Sequence, residues 1–331
     1  MSEIPALQVR GLTTRFVAPH GTITAVDDVS FRVARGETLG LVGESGSGKS
    51  VTAMSVLRLV ASPGRIVGGS VCLNGVDLLT LDDEQMRQRR GTEIGMVFQN
   101  PMTALNPVFS IGWQMREALW AHDFKGDADA RIREALQAVG MPDPDRQAAA
   151  FAHQMSGGMR QRVVIAMGML HHPPLLIADE PTTALDVTIQ AQVLALMKSL
   201  TQERGTALLL ITHNMGVIAR MCDRVAVMYA GEIVEEASVD DLFSRPKHPY
   251  TQGLLRSIPR ADQARGRLPS LAGAPPDMTR PIAGCRFRDR CEHAIADCAR
   301  HPKLEAIETD HSVRCWIAQD HPVGLESASE H

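Results

Sequence analysis

A glycine-rich segment between an apolar run and a helical pattern constrains the fold of this chain more than any other feature. Residues 38–42 are apolar and of strand length, residues 43–50 fit G-x-x-x-x-G-K-[ST] at every fixed position, and apolar residues recur at helical spacing from Val51. In that order, backbone N–H groups wrap phosphates, Lys49 reaches the terminal phosphates and the Ser50 hydroxyl ligates Mg²⁺. The sequence therefore predicts a nucleotide site. Its loop consists of Gly43, Glu44, Ser45, Gly46, Ser47, Gly48, Lys49 and Ser50.

Two further apolar runs predict a parallel α/β sheet that places acidic and imidazole groups beside this loop. Residues 175–179 and 207–212 are strand-like, and a helical pattern over 188–203 separates them. Asp179 ends the first run and is predicted to hold Mg²⁺, while Glu180 is predicted to orient or deprotonate the attacking water. His213 follows the second run, where a γ-phosphate sensor is needed. The alternatives are a solvated acid at a strand end and a histidine of the core.

The segment Ser156-Gly157-Gly158 supplies a second set of phosphate-facing N–H groups. It stands at the start of a basic helical pattern, and one nucleotide site does not need it. It therefore predicts a second nucleotide site, shared between two chains.

Composition excludes several classes of protein. The formal net charge of -4 lacks the basic excess of a nucleic-acid binder, so nucleic acid is not an expected partner. No window reaches the roughly 18 uninterrupted apolar residues of a membrane span. The first residues show no basic start followed by an apolar core, so we expect no export signal and a soluble, cytosolic chain.

The order of these motifs resembles the ATPases of ABC transporters over about residues 5–240. The resemblance implies a RecA-like P-loop NTPase core with an antiparallel β subdomain and a helical subdomain at about 85–172. It also implies a head-to-tail dimer that sandwiches two ATP molecules. Gln99 then contacts Mg²⁺ and the membrane subunits, and Asp186 couples the two sites. Phe16 is the predicted base-stacking aromatic, with a core phenylalanine as the alternative, and Met155 and Met159 depart from the usual ends of the signature.

Residues 241–331 resemble the C-terminal extension of oligopeptide and dipeptide importer ATPases, through the KHPYTQGLL run at 247–255 and a cysteine cluster. We expect this extension to be irregular, with a Pro-rich linker over 259–284 and a frayed tail beyond Ile317. The resemblance implies peptide import at the cytoplasmic face of a bacterial inner membrane, with a second, similar ATPase in a heterodimer, two permease subunits and an extracytoplasmic binding protein.

Other cargoes and classes stay open at this point. Similar importers move nickel, glutathione or antimicrobial peptides. An exporter, a non-transport ATPase of DNA repair or ribosome rescue, and an ATP-binding scaffold without turnover are the remaining alternatives. DNA-repair relatives interrupt the cassette with a long coiled coil, whereas 56 residues separate Gln99 from Ser156 here.

Four of the six cysteines form the spacing C-x₅-C-x₆-C-x₁₆-C. This spacing is too wide for the paired knuckles of most structural zinc sites and is compatible with one iron–sulfur cluster, whose ligands need only converge in space. The resemblance implies a [4Fe–4S] cluster, with zinc and simple packing as alternatives. Cys72 and Cys222 are expected to be buried hydrophobic residues, and the histidines at 293, 301 and 311 to be exposed. The predicted ligands are Cys285, Cys291, Cys298 and Cys315.

Overall fold

The computed structural model describes residues 4–18, 21–183, 185–258, 271–280 and 282–320. Half of the predicted linker, and most of the tail beyond Ile317, lie outside these residues. Two sheets organise the described chain, one of four strands and one of eight. The strands are β1 (Leu7–Ala18), β2 (Gly21–Val33), β3 (Thr38–Val42), β4 (Gly64–Leu73), β5 (Val76–Asp77), β6 (Ile94–Val97), β7 (Leu175–Asp179), β8 (Ala207–Thr212), β9 (Arg224–Tyr229), β10 (Glu232–Ser238), β11 (Glu305–Glu308) and β12 (His311–Val313).

The helices lie between these strands, most of them after β6. They are α1 (Lys49–Val56), α2 (Asp83–Arg89), α3 (Pro101–Ala104), α4 (Ile111–Trp120), α5 (Ala128–Ala138), α6 (Pro144–Ala149), α7 (Gly157–Gly168), α8 (Val187–Arg204), α9 (Met215–Met221), α10 (Val239–Ser244), α11 (Pro249–Arg256) and α12 (Trp316–Asp320). None of the helices in the described part of the chain is both long and apolar enough to cross a bilayer.

The large sheet has the order β11-β12-β10-β9-β3-β8-β7-β6, and its strands from β9 to β6 are parallel. Alternate residues of β7 and β8 pack on opposite faces. Leu176 and Leu208 join the core beneath the helices, whereas Ile177 and Leu209 join the core beneath the four-stranded sheet. A strand buried on both faces is an unbroken apolar run, which is why these two strands were predicted with their observed bounds.

The four-stranded sheet is antiparallel, in the order β2-β1-β4-β5. Together with the parallel sheet it confirms the predicted P-loop α/β fold with an antiparallel β subdomain. The helices α3–α7 follow β6 and share one core with one face of β7 and β8. The range 85–172 also contains β6, which pairs with β7 in the large sheet.

The extension is less irregular than expected. Its strand β12 pairs with β10 through Glu235↔Val313, and β11 pairs with β12, so the extension lengthens the central sheet by two strands. These strands have four and three residues, too few for an alternating pattern to be visible in sequence. The expectation for His311 was also wrong: its side chain is 1% exposed and contacts Glu235.

Candidate functional site

The loop between β3 and α1 is held too closely for side chains at two of its glycines. A Cβ at Gly43 would lie 2.1 Å from the Met228 carbonyl oxygen. Gly48 has φ of 105° and would place a Cβ 2.3 Å from the carbonyl oxygen of Ala25. Gly48 is also the N-cap of α1 and provides no side-chain cap, so the first N–H groups of this helix are available to an anion.

Lys49 lies inside this loop, with 5% of its surface exposed. Its Nζ donates to the carbonyl oxygens of Gly43 and Glu44, both at 2.8 Å. Burial lowers the pKa of Lys49, while the carboxylates of Glu180, Asp179 and Glu44 oppose that shift. The ammonium group thus lies among oxygen acceptors, and it can donate to a phosphate oxygen in place of a carbonyl oxygen.

Asp179 and Ser50 form a pair suited to a divalent cation. Asp179 is 5% exposed at the end of β7, and its Oδ1 is buried without a hydrogen-bond partner among the described residues. Burial raises the pKa of Asp179, and a hydrogen bond from the Ser50 side chain opposes that rise. A cation that accepts carboxylate and hydroxyl oxygens would satisfy the orphan atom, so these residues fit Mg²⁺.

Glu180 is the point at which the predicted catalytic groups meet. Its Oε1 lies 2.9 Å from Nδ1 of His213, and its Oε2 accepts hydrogen bonds of 2.9 Å from both Gln99 and Thr183. Burial favours a higher pKa for Glu180, but the bonds from His213 and Thr183 outweigh it and the net pKa is lowered. The carboxylate therefore stays ionised near neutral pH and can act as a base.

The second predicted phosphate surface lies at the start of α7. Ser156 is the N-cap of this helix, and its Oγ accepts from the N–H of Met159 at 3.3 Å. Ser156 and Gly157 are exposed, while Gly158 faces Ile189 of α8. Within the described residues, no hydrogen bond joins this turn to the phosphate loop of the same chain. Asp186 caps α8 through the N–H of Ile189.

Phe16 lies in β1, opposite Ile23 of β2 and Gly64 of β4. A Cβ at Gly64 would come within 2.5 Å of its ring, so the ring packs closely on that glycine. Phe16 is half-buried.

The four extension cysteines are free thiols, and Cys285 lies near enough to the other three to interact with them electrostatically. The N–H of Cys285 donates to the carbonyl oxygen of Cys298 at 2.9 Å. Burial, and then the neighbouring thiols at 298, 315 and 291, raise the pKa of Cys285 to about 12. Even so, no group of three or more His, Cys, Asp or Glu side chains in the described ranges is arranged to hold a metal ion. Burial also raises the pKa of Cys72 and of Cys222.

Three residues of the site have no signal in the sequence. Thr183 was not predicted, although its hydroxyl donates to Glu180. Tyr250 and Arg290 both contact Glu44 of the phosphate loop, across 206 and 246 residues of chain. Thr183 lies three residues after Glu180, where no pattern marked it, and the contacts of Tyr250 and Arg290 depend on tertiary structure.

Two family models match this chain. The model described as "ABC transporter" matches residues 26–183, and the model "Oligopeptide/dipeptide transporter, C-terminal region" matches residues 234–298. The second match spans α10, α11 and three of the four clustered cysteines.

Similar proteins cover nearly the whole chain. A probable peptide ABC transporter ATP-binding protein of Sinorhizobium fredii is 50% identical, over 95% of each chain. The oligopeptide transport ATP-binding protein OppD of Salmonella typhimurium is 46% identical, over 94% of this chain and 93% of its own. Among solved structures, a dimeric bacterial ABC transporter cassette superimposes with a TM-score of 0.63 and 28% identity, covering 70% of this chain and 98% of its own.

Proposed function

The chain belongs to the ABC transporter ATPase family, in the branch with the oligopeptide and dipeptide transporter C-terminal region, and we propose that it hydrolyses ATP to energise the import of di- and oligopeptides. One observation carries the proposal most strongly. The side chains of Gln99, Thr183 and His213 all converge on Glu180, and they do so next to the phosphate loop in a chain that matches peptide importers over 94% of its length.

For the chemical step, the loop N–H groups and Lys49 bind the phosphates of ATP. Ser50, Gln99 and Asp179 would hold Mg²⁺, which neutralises charge on the phosphate oxygens. Glu180 accepts a proton from the attacking water, and His213 contacts the γ-phosphate. The hydrogen bonds from Gln99, Thr183 and His213 hold the Glu180 carboxylate in one position, which supports its role as the base.

For assembly, Ser156, Gly157 and Gly158 of one chain close on the ATP held by the partner's loop. The exposure of Ser156 and Gly157 supports this arrangement, and a structural neighbour is described as dimeric. We extend it to a heterodimer with a similar ATPase, coupled through Asp186. The heterodimer docks on two permease subunits at the cytoplasmic face of the inner membrane. An extracytoplasmic binding protein delivers the cargo to the permeases. Phe16 stacks on the adenine.

Transport assays test the function. The complex of this chain with its neighbouring permeases, reconstituted in vesicles, should accumulate labelled di- and oligopeptides when ATP is supplied. Nickel or glutathione uptake without peptide uptake would overturn the cargo assignment. Glu180→Gln should keep ATP binding and lower hydrolysis at its own site by about 10²–10⁴-fold; unchanged hydrolysis there would remove Glu180 as the base.

From the cysteine spacing and the resemblance of the extension, we also propose a [4Fe–4S] cluster with Cys285, Cys291, Cys298 and Cys315 as its ligands, although the described residues do not form a metal-binding group in this structure. Such a cluster would join short segments that have little core of their own. Anaerobically purified chain should contain about four irons with matching sulfide per molecule and absorb in the visible. Cys298→Ser should lose them, whereas the control Cys72→Ser should keep them. Zinc in place of iron, or a metal-free folded chain, would contradict the cluster.

A further inference from the structure

One residue of the phosphate loop, Glu44, is held by the C-terminal extension through both its backbone and its side chain. Its N–H donates to the Tyr250 hydroxyl at 2.8 Å. Its two carboxylate oxygens accept from the two terminal nitrogens of Arg290 at 2.7 and 3.0 Å. Its carbonyl oxygen accepts from Nζ of Lys49. We propose that Arg290 and Tyr250 are positioning residues of the ATP site, which fix the phosphate-binding loop from the extension.

Arg290 is well placed to fix an orientation. Its side chain is 5% exposed, and its guanidinium lies 5.7 Å from the ring centre of Tyr229 and 5.9 Å from that of Phe287. Its Nε donates to the carbonyl oxygen of Ala272 at 2.9 Å. Because the planar guanidinium is stacked on two rings and donates two parallel hydrogen bonds, it fixes the position of the Glu44 carboxylate. Arg290 therefore also restrains Glu44 within the phosphate loop.

Tyr250 is anchored equally firmly on the other side. It is fully buried in α11, with its ring 4.6 Å from Tyr229 and 5.5 Å from Phe287. The three rings come from β9, α11 and the cysteine-containing segment, and they lie in one core cluster. The extension thus forms a packed base beneath the loop, and Tyr250 and Arg290 are its two contacts with Glu44.

The loop has little freedom to move without these contacts losing their geometry. The same Glu44 that the extension holds also orients Lys49 through its carbonyl oxygen. Because the loop N–H groups and Lys49 bind ATP before and during the reaction, a displaced loop weakens binding in both states. We therefore expect the KM for ATP to rise while kcat changes little.

The inference rests on the proposed ATPase function. Its test measures the binding of a fluorescent ATP analogue to the full-length chain, and ATP hydrolysis in the assembled transporter. Arg290→Ala should raise the Kd for the nucleotide by about tenfold or more. Arg290→Lys keeps the charge but not the two parallel bonds, and should recover only part of the affinity. Tyr250→Phe removes a single hydroxyl and should raise the Kd by a few-fold.

The matched control is Arg288→Ala, because Arg288 is on the same segment but is 41% exposed and, among the residues that the structure describes, its side chain pairs with the neighbouring Asp289. It should bind as wild type does. The double variant Arg290→Ala, Glu44→Ala should bind the nucleotide no worse than the weaker-binding single variant, since both changes remove the same contact between Arg290 and Glu44. Wild-type affinity in folded Arg290→Lys and Tyr250→Phe, or additive losses in the double variant, would overturn the inference. A wild-type chain that binds no ATP would instead refute the proposed function.

Discussion

At the scale of single residues, the two glycines of the Ser156-Gly157-Gly158 turn differ in the space around them. Among the described residues, a Cβ added at Gly157 would meet only the end of Leu185, at 3.8 Å, which is an ordinary contact. A Cβ at Gly158 would lie 2.7 Å from Cγ2 of Ile189. Gly157 is therefore not required by packing in this chain, and its small size points to something that approaches from outside.

We predict that Gly157→Ala leaves the thermal midpoint of the isolated chain within a few degrees of wild type and sharply lowers ATP hydrolysis in the assembled complex. The methyl group would stand where the partner's phosphates approach the N–H groups of α7. Calorimetry and a phosphate-release assay measure the two effects. Hydrolysis at the wild-type rate would show that this turn does not close on nucleotide, and Gly158→Ala serves as the comparison in which packing itself changes.

The sequence allowed residue-level predictions of function where the chemistry accepts only one residue type at a position, and these roles stay predictions. The phosphate loop needs glycines and Lys49 in a fixed order, and Glu180 follows directly from a buried strand. Prediction from sequence failed for Arg290, because nothing near that position in sequence indicates that its partner is 246 residues away. It also failed for the burial of His311, whose partner Glu235 lies on a core strand.

At the scale of elements, the start of α11 carries a histidine in an unusual role. His248 is fully buried, its Nδ1 accepts from the N–H of Tyr250 at 3.0 Å, and its ring is also hydrogen-bonded to the backbone of Arg314. Burial lowers the pKa of His248 to about 4. A proton on Nδ1 would remove the acceptor that caps the helix, so the ring must stay neutral in the folded chain.

This cap predicts a pH dependence of stability. Unfolded histidine has a pKa near 6.5, so between pH 6.5 and about 4 the unfolded chain binds a proton that the folded chain excludes. The free energy of unfolding is therefore highest above pH 6.5 and falls toward pH 4, by about 3 kcal/mol from this group. His248→Asn keeps an acceptor at the cap but does not titrate, and should flatten the fall measured by urea unfolding. The exposed control His153→Asn should not; an equal slope in all three chains would contradict this account.

Elements were predicted in proportion to how completely they are buried. The strands β7 and β8 are apolar throughout and were predicted with correct bounds. The strands β1 and β2 have 12 and 13 residues but mix polar and apolar positions, so neither is an unbroken apolar run. The short β12 has no visible period and joins the sheet because the buried backbone of β10 needs a partner.

At the scale of the whole molecule, Glu235 connects the extension to the nucleotide-binding core. This residue of β10 is fully buried and accepts from the N–H groups of Lys247 and His248, at 2.6 and 3.0 Å. Nε2 of His311 in β12 lies 2.8 Å from the same carboxylate. One carboxylate therefore holds both the start of α11, which carries Tyr250, and β12, which lies between Cys298 and Cys315.

We predict that Glu235→Ala lowers the free energy of unfolding by about 3 kcal/mol or more, because it leaves buried N–H groups and an imidazole without their acceptor. If the extension positions the phosphate loop, the same variant should also raise the Kd for ATP under conditions in which the chain is still folded. The reason is that the packed elements that hold Tyr250 and Arg290 in place would shift. Denaturant unfolding and nucleotide titration measure the two effects, and the exposed Glu305→Ala should show neither. Lost stability with unchanged ATP affinity would mean that the extension stabilises the cassette without positioning its loop, whereas a joint loss would make the two regions a single functional unit.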